Sequence, residues 1–229
     1  MSFWLLFADE MKGFYKSKVM LVLWVGMPVA ALLFHALTPN DVSGAPVSLV
    51  VSLVVGSFGG LLGSAILSTT IVNEKNRHVY ELFLVRPVRR ANLIVAKFFA
   101  VLTCLILAAS IALITGIAFD AGKSVILSDV LLKQMLQSFT TAILMMGIAC
   151  GFGLVIGTNL SSVPAAAILS LYVGNQLASF AAFPGFMGIL LPDTFWATID
   201  PLLANCLIGG ITTPLLVWVA IMSFNRKQF

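Results

Sequence analysis

Long apolar runs separated by short polar segments dominate the chain between residues 19 and 224. A helix crossing a bilayer needs about 20 apolar residues at ~1.5 Å rise each. Six runs meet that length, at 19–37, 47–72, 91–119, 134–156, 163–183 and 202–224. Pro28 predicts a kink in the first, and the second is long enough to tilt. The short 158–162 link predicts that the fourth and fifth runs form an antiparallel hairpin.

Three segments depart from this pattern. Residues 1–18 place apolar side chains at 4, 7, 11, 14 and 15, with Asp9, Lys12 and Lys16 on another face. That period predicts an amphipathic helix lying in the membrane interface, the alternative being a plain extension of the first span. Residues 73–90 form the one sizeable polar loop, with helical composition up to Val85 and a stop at Arg86-Pro87. Residues 184–201 are apolar yet interrupted by Pro184, Gly185, Gly188, Pro192 and Pro201. This predicts short re-entrant or interfacial helices, covered by protein or lining a cavity. The pattern therefore divides one transmembrane domain, 1–229, into an interfacial helix (1–18), spans 1–2 (19–72), a loop (73–90), spans 3–5 (91–183), a re-entrant segment (184–201), span 6 (202–224) and a tail (225–229).

Composition agrees: 60% of the 229 residues are hydrophobic and 10% charged, against about 25% charged in a soluble domain. Lipid is the expected solvent for such a chain. The net charge of +4 forms no basic face of the kind that binds nucleic acid. Eleven of the thirteen Lys and Arg fall on the side shared by both termini and by 73–90, and only Lys123 and Lys133 on the other. The bias predicts a multi-pass protein with both termini in the cytoplasm.

The spans lack central Asp, Glu, Lys, Arg or His; Lys97 and His35 lie near span ends, where they are expected to snorkel. That neutrality argues against a self-powered carrier and against an intramembrane enzyme. Cys104, Cys150 and Cys206 are read as small buried residues, and no signal peptide or metal motif is expected. Gly122-Lys123-Ser124 is not a P-loop, because Ile117 stands where its first glycine belongs. No nucleotide or other cofactor is expected in this chain.

Gly56 and Gly60 lie in a row of small residues with Ser52 and Ser64, and Gly147, Gly151, Gly153 and Gly157 repeat the device. Such rows let helices approach closely, within one subunit or between two. Asn175 and Gln176 sit near mid-depth of the fifth run, as interhelical glue or as contacts to a transported molecule.

The loop and the start of the third run, from Asn73-Glu74-Lys75 through Glu81-Leu82, Arg86-Pro87-Val88-Arg89-Arg90 and Lys97, resemble the permease subunits of type-2 ABC exporters. Glu74, Glu81, Leu82, Pro87, Val88, Arg90 and Lys97 match that family's usual run; His78 and Ala96 depart from it where glycine is common. The resemblance extends to the whole chain, with Pro201 matching the start of the last span, although the arginine that often comes next is missing.

It implies an all-α integral membrane fold of six transmembrane helices, with a coupling helix between spans 2 and 3. It also implies export driven by two copies of a separate cytoplasmic ATPase that bind ATP and Mg, and a second permease chain, identical or related. The setting would be a plasma membrane, in a prokaryote. Glu74, Lys75, Arg77, Glu81, Arg86, Pro87, Arg89 and Arg90 are the expected coupling residues, their mixed charge suiting polar docking. The rival readings are a stand-alone channel or carrier, and a membrane scaffold or sensor that docks a regulator.

Overall fold

The computed structural model describes residues 3–16, 18–37, 46–77, 90–122, 129–179 and 201–226. Among them every regular element is helical: α1 (Phe3–Lys16), α2 (Val19–Leu37), α3 (Val47–Asn76), α4 (Arg90–Gly122), α5 (Asp129–Asn159), α6 (Val163–Leu169), a π-helical turn (Ser170–Gly174), α7 (Asn175–Ser179) and α8 (Pro201–Arg226). Four helices are long and apolar enough to cross a membrane: Val47–Asn76, Ala91–Gly122, Asp129–Asn159 and Leu202–Arg226. A shorter apolar stretch, Val19–Ala30, lies in α2. Most of the loop (78–89) and of the segment expected to be re-entrant (184–200) lies outside the described residues.

Among the helix boundaries that lie beyond the expected runs, two have a physical reason. α5 begins at Asp129 rather than 134, and Asp129 puts a carboxylate in the first turn, where it complements the helix dipole. α3 continues past 72 to Asn76, because side-chain bonds to other elements hold its last turn.

α1 is a separate helix and not an extension of α2. Lys18 takes the left-handed conformation (φ 60°) between them and turns the chain. The packed face of α1 also departs from the expected one. Leu6 is buried and Glu10 points inward to Lys97, whereas Trp4 and Tyr15 are exposed. Ring contact between Phe3 and Phe99 and packing of Met11 on Cys104 seat α1 along α4.

α3 is the central helix, with α5, α4, α2 and the α6–π–α7 rod around it, and α8 packs on α5. Leu67, Ile71, Ile94, Leu105, Met146 and Leu154 fill the core. The closest approach joins α3 to α5. A Cβ on Gly153 would stand 2.5 Å from the Ser64 carbonyl oxygen, and one on Gly157 would stand 3.0 Å from Ser68 Cα. Only glycine permits that backbone contact. The small residues of α3 pack within the chain: Gly56 faces Ala142, and Gly60 faces Ala149 and Asn175.

The periphery is apolar. Leu203, Leu207, Ile211, Leu215, Trp218 and Met222 form an exposed stripe along α8, and Leu21, Val22, Val25, Val29 and Leu33 form another along α2. Stripes of this size require an apolar surrounding, which a membrane supplies.

Candidate functional site

The end of α3 that leads into the 78–89 loop carries the densest polar constellation among the described residues. Lys97, two turns into α4, is 2% exposed. Its Nζ donates to Glu10 Oε1 of α1 and to Glu74 Oε1 of α3, each at 2.6 Å. Lys97 therefore does not snorkel to the interface, as its position near a span end predicts; the two carboxylates compensate its charge in place. A buried ammonium needs such pairing, since desolvation costs several kcal/mol per ion. Three helices distant in sequence thus meet on one nitrogen.

Among the described residues the cluster is not closed. Two carboxylates and one ammonium leave a formal charge of −1, and Glu74 Oε2 is buried without a hydrogen-bond partner among the described residues. Burial pushes the Glu10 carboxyl pKa up; Lys97 opposes this, and the Glu74 and Asp9 charges add to it. A cavity of about 360 Å³ adjoins both carboxylates, lined also by Phe14, Thr69 and Thr70. The raised pKa and the adjoining cavity make Glu10 a group that can take up a proton here.

The same turn of α3 is tied on its other side. Lys75 Nζ donates to the Leu160 carbonyl at 3.4 Å, and Asn76 Nδ2 to the Ser161 carbonyl at 3.0 Å. Both acceptors lie in the link between α5 and α6. Within a single turn, then, the loop end of α3 is fastened to α1, α4 and the α5–α6 link.

Of the residues expected to couple, Glu74 and Lys75 take part in this junction and Arg77 is exposed beside it. Arg90 opens α4, its side chain lying outside the described residues, as do Glu81, Arg86, Pro87 and Arg89 entirely. Asn175 is half-buried against Gly60, whereas Gln176 is exposed. The two amides therefore have different surroundings. No group of three or more His, Cys, Asp or Glu able to hold a metal occurs among the described residues, and the three cysteines are free thiols.

Three sets of residues carry no clear mark in the sequence. Glu10 belongs to the junction, and its only signal is a carboxylate one position off the polar face of an amphipathic helix. Asp120 lies at the far end of α3, 1% exposed, where it accepts from the backbone N–H groups of Val47 (2.7 Å) and Ser48 (2.9 Å) and from the Ser48 hydroxyl. Ser64, Ser68 and Ser170 form the third set. Ser64 Oγ donates to the Ser170 carbonyl (3.0 Å) and Ser68 Oγ to Ser170 Oγ (2.8 Å), so hydroxyls pin α3 to the π-helical turn.

No protein-family model matches the chain, and no curated protein matches it.

Proposed function

We propose that this chain is the membrane subunit of an ATP-driven exporter of the type-2 ABC kind. In this reading six helices span a plasma membrane with both termini in the cytoplasm, α1 lies in the inner interface, and the 73–90 loop docks a separate ATPase. Two permease chains and two ATPase subunits make the working assembly. The ATP and Mg belong to the ATPase.

One observation carries the reading: Lys97 pins the last turn before the loop to both α1 and the helix on the loop's other side. A push on the loop is then delivered to α1, α3 and α4 together. The ties of Lys75 and Asn76 pass it on to α5 and α6. Closure of the ATPase subunits on ATP moves the loop, and the bundles rock between inward and outward states. The neutral, apolar helices favour a hydrophobic or amphipathic substrate.

Co-purification tests the assignment. The chain expressed with its cellular complement should retain an ATP-binding protein, and charge reversal at Glu81 or Arg90 should release it. Transport by the purified chain alone in vesicles contradicts the proposal and favours a stand-alone carrier. Retention of a partner that binds no ATP favours the scaffold.

A further inference from the structure

A cavity of about 420 Å³ opens where the end of α5 meets the end of α8, lined by Asn159, Val219, Met222, Ser223 and Arg226. The exposed stripe of α8 fixes its depth in a bilayer. Leu203 and Met222, the first and last apolar residues of that stripe, are ~29 Å apart at ~1.5 Å per residue, which matches a hydrocarbon core of about 30 Å. The next turn, Ser223 to Arg226, therefore falls among the headgroups, with the exposed Arg226 at its end.

The cavity has a built polar side. Ser223 Oγ donates to Asn159 Oδ1 at 2.7 Å, and Asn159 Nδ2 donates to the Val155 carbonyl at 2.8 Å. Arg226 follows Ser223 by three residues and Met222 by four, which puts all three on one face of α8. Lys75 Nζ donates to the carbonyl of Leu160, the neighbour of Asn159, and brings a second cation to this end. The helices that line the cavity offer no acid to answer these charges: the sequence has no Asp or Glu from 130 to 192, nor from 201 to 229. Away from Arg226, the exposed Met222, Trp218 and Leu215 continue along the same helix into the hydrocarbon layer.

We infer that this cavity binds one anionic diacyl phospholipid, with its phosphodiester paired to Arg226 and an acyl chain laid along Met222, Trp218 and Leu215. The planar guanidinium fork matches phosphate oxygens in pairs. A free phosphate would engage the cation and leave the apolar path unused. A zwitterionic lipid would bring an ammonium group to an end that already holds two cations. Binding requires only that α8 crosses a bilayer, so it stands apart from the exporter reading.

The full chain in lipid nanodiscs, crosslinked to a phosphatidylglycerol with a diazirine on one acyl chain, provides the test. Crosslinks should saturate and map to residues 211–226. Unlabelled phosphatidylglycerol in the bilayer should compete about fivefold better than phosphatidylcholine, the effect of one cation at a membrane surface. Arg226→Gln, at an exposed position that the fold does not need, should bring that ratio close to one. Lys12→Gln, which removes an exposed cation from α1, should leave it unchanged. An undiminished ratio in Arg226→Gln overturns the inference, and so does an equal loss in Lys12→Gln, which would mean general attraction to a basic surface. Crosslinking that never saturates, or displacement of the probe by soluble glycerol phosphate alone, overturns it too.

Discussion

The two ends of α3 are both held by buried charge, yet they are built on opposite plans. At the far end one carboxylate, Asp120, meets two backbone N–H groups and a hydroxyl. That is a helix N-terminus completed by an anion, with donors matched to acceptors. At the loop end two carboxylates share one ammonium, one oxygen has no partner among the described residues, and a cavity lies alongside. The first arrangement has one good state. The second ties three helices to one nitrogen, and the raised pKa of Glu10 lets it take up a proton there. One helix thus has a capped anchor at one end and a three-helix joint at the other, which suits the lever of the proposed exporter.

Removing the shared cation should have the largest effect. Lys97→Met leaves two carboxylates facing each other and should lower stability by about 3–5 kcal/mol, measured by thermal unfolding in detergent. Combining it with Glu10→Gln and Glu74→Gln removes the stranded charges and should restore most of that loss. The triple variant should nonetheless fail to transmit movement, which separates stability from function at this end.

At the far end Asp120→Ala should cost about 2 kcal/mol, the loss of a charged cap and its bonds. Here no second substitution should rescue, and the ATPase of the proposed exporter should still bind. A variant that loses ATPase binding as well would erase the distinction between anchor and joint.

The joint should also respond to pH. Glu10's raised pKa means that the folded chain holds this proton more tightly than the unfolded one. Its contribution is therefore fully present below the ordinary glutamate pKa of about 4.3 and is lost as pH rises through the raised value. Wild type minus Glu10→Gln stability, plotted against pH, should fall across that window and be flat above it.

The smallest change concerns the corner that delivers α1 to the joint. Lys18→Gly relieves the left-handed conformation and should stabilise the chain by up to about 1 kcal/mol. An equal destabilisation would show that the Lys18 side chain, not its backbone, holds the corner.

How much of this is legible in the sequence depends on the range of the forces involved. Apolar runs announce helices because the signal is local and summed over a turn or more, so α3, α4, α5 and α8 can be read directly. Lys97 cannot be read as buried, since its position near a span end fits snorkelling equally well. What decides the matter is a glutamate 87 residues earlier and another 23 residues earlier. Asp120 sits beside a false P-loop and reads as part of a turn, although its carboxylate reaches residues more than 70 positions away. The inward face of α1 is misleading because Trp4 and Tyr15 are apolar enough to count as core yet suit the membrane interface equally well. The π-helical turn has no local signature at all; it answers to serines on another helix.

Central to the proposed mechanism is that α1, α3 and α4 move as one body around Lys97. Spin labels at the exposed positions Lys12 and Asn73 report the α1–α3 distance directly in the assembled complex. We predict one narrow distance distribution in the wild-type chain, unchanged between ATP-bound and ATP-free states, and a broad one in Lys97→Met. A wild-type distance that shifts with ATP, or a distribution that stays narrow without the lysine, contradicts this mechanism.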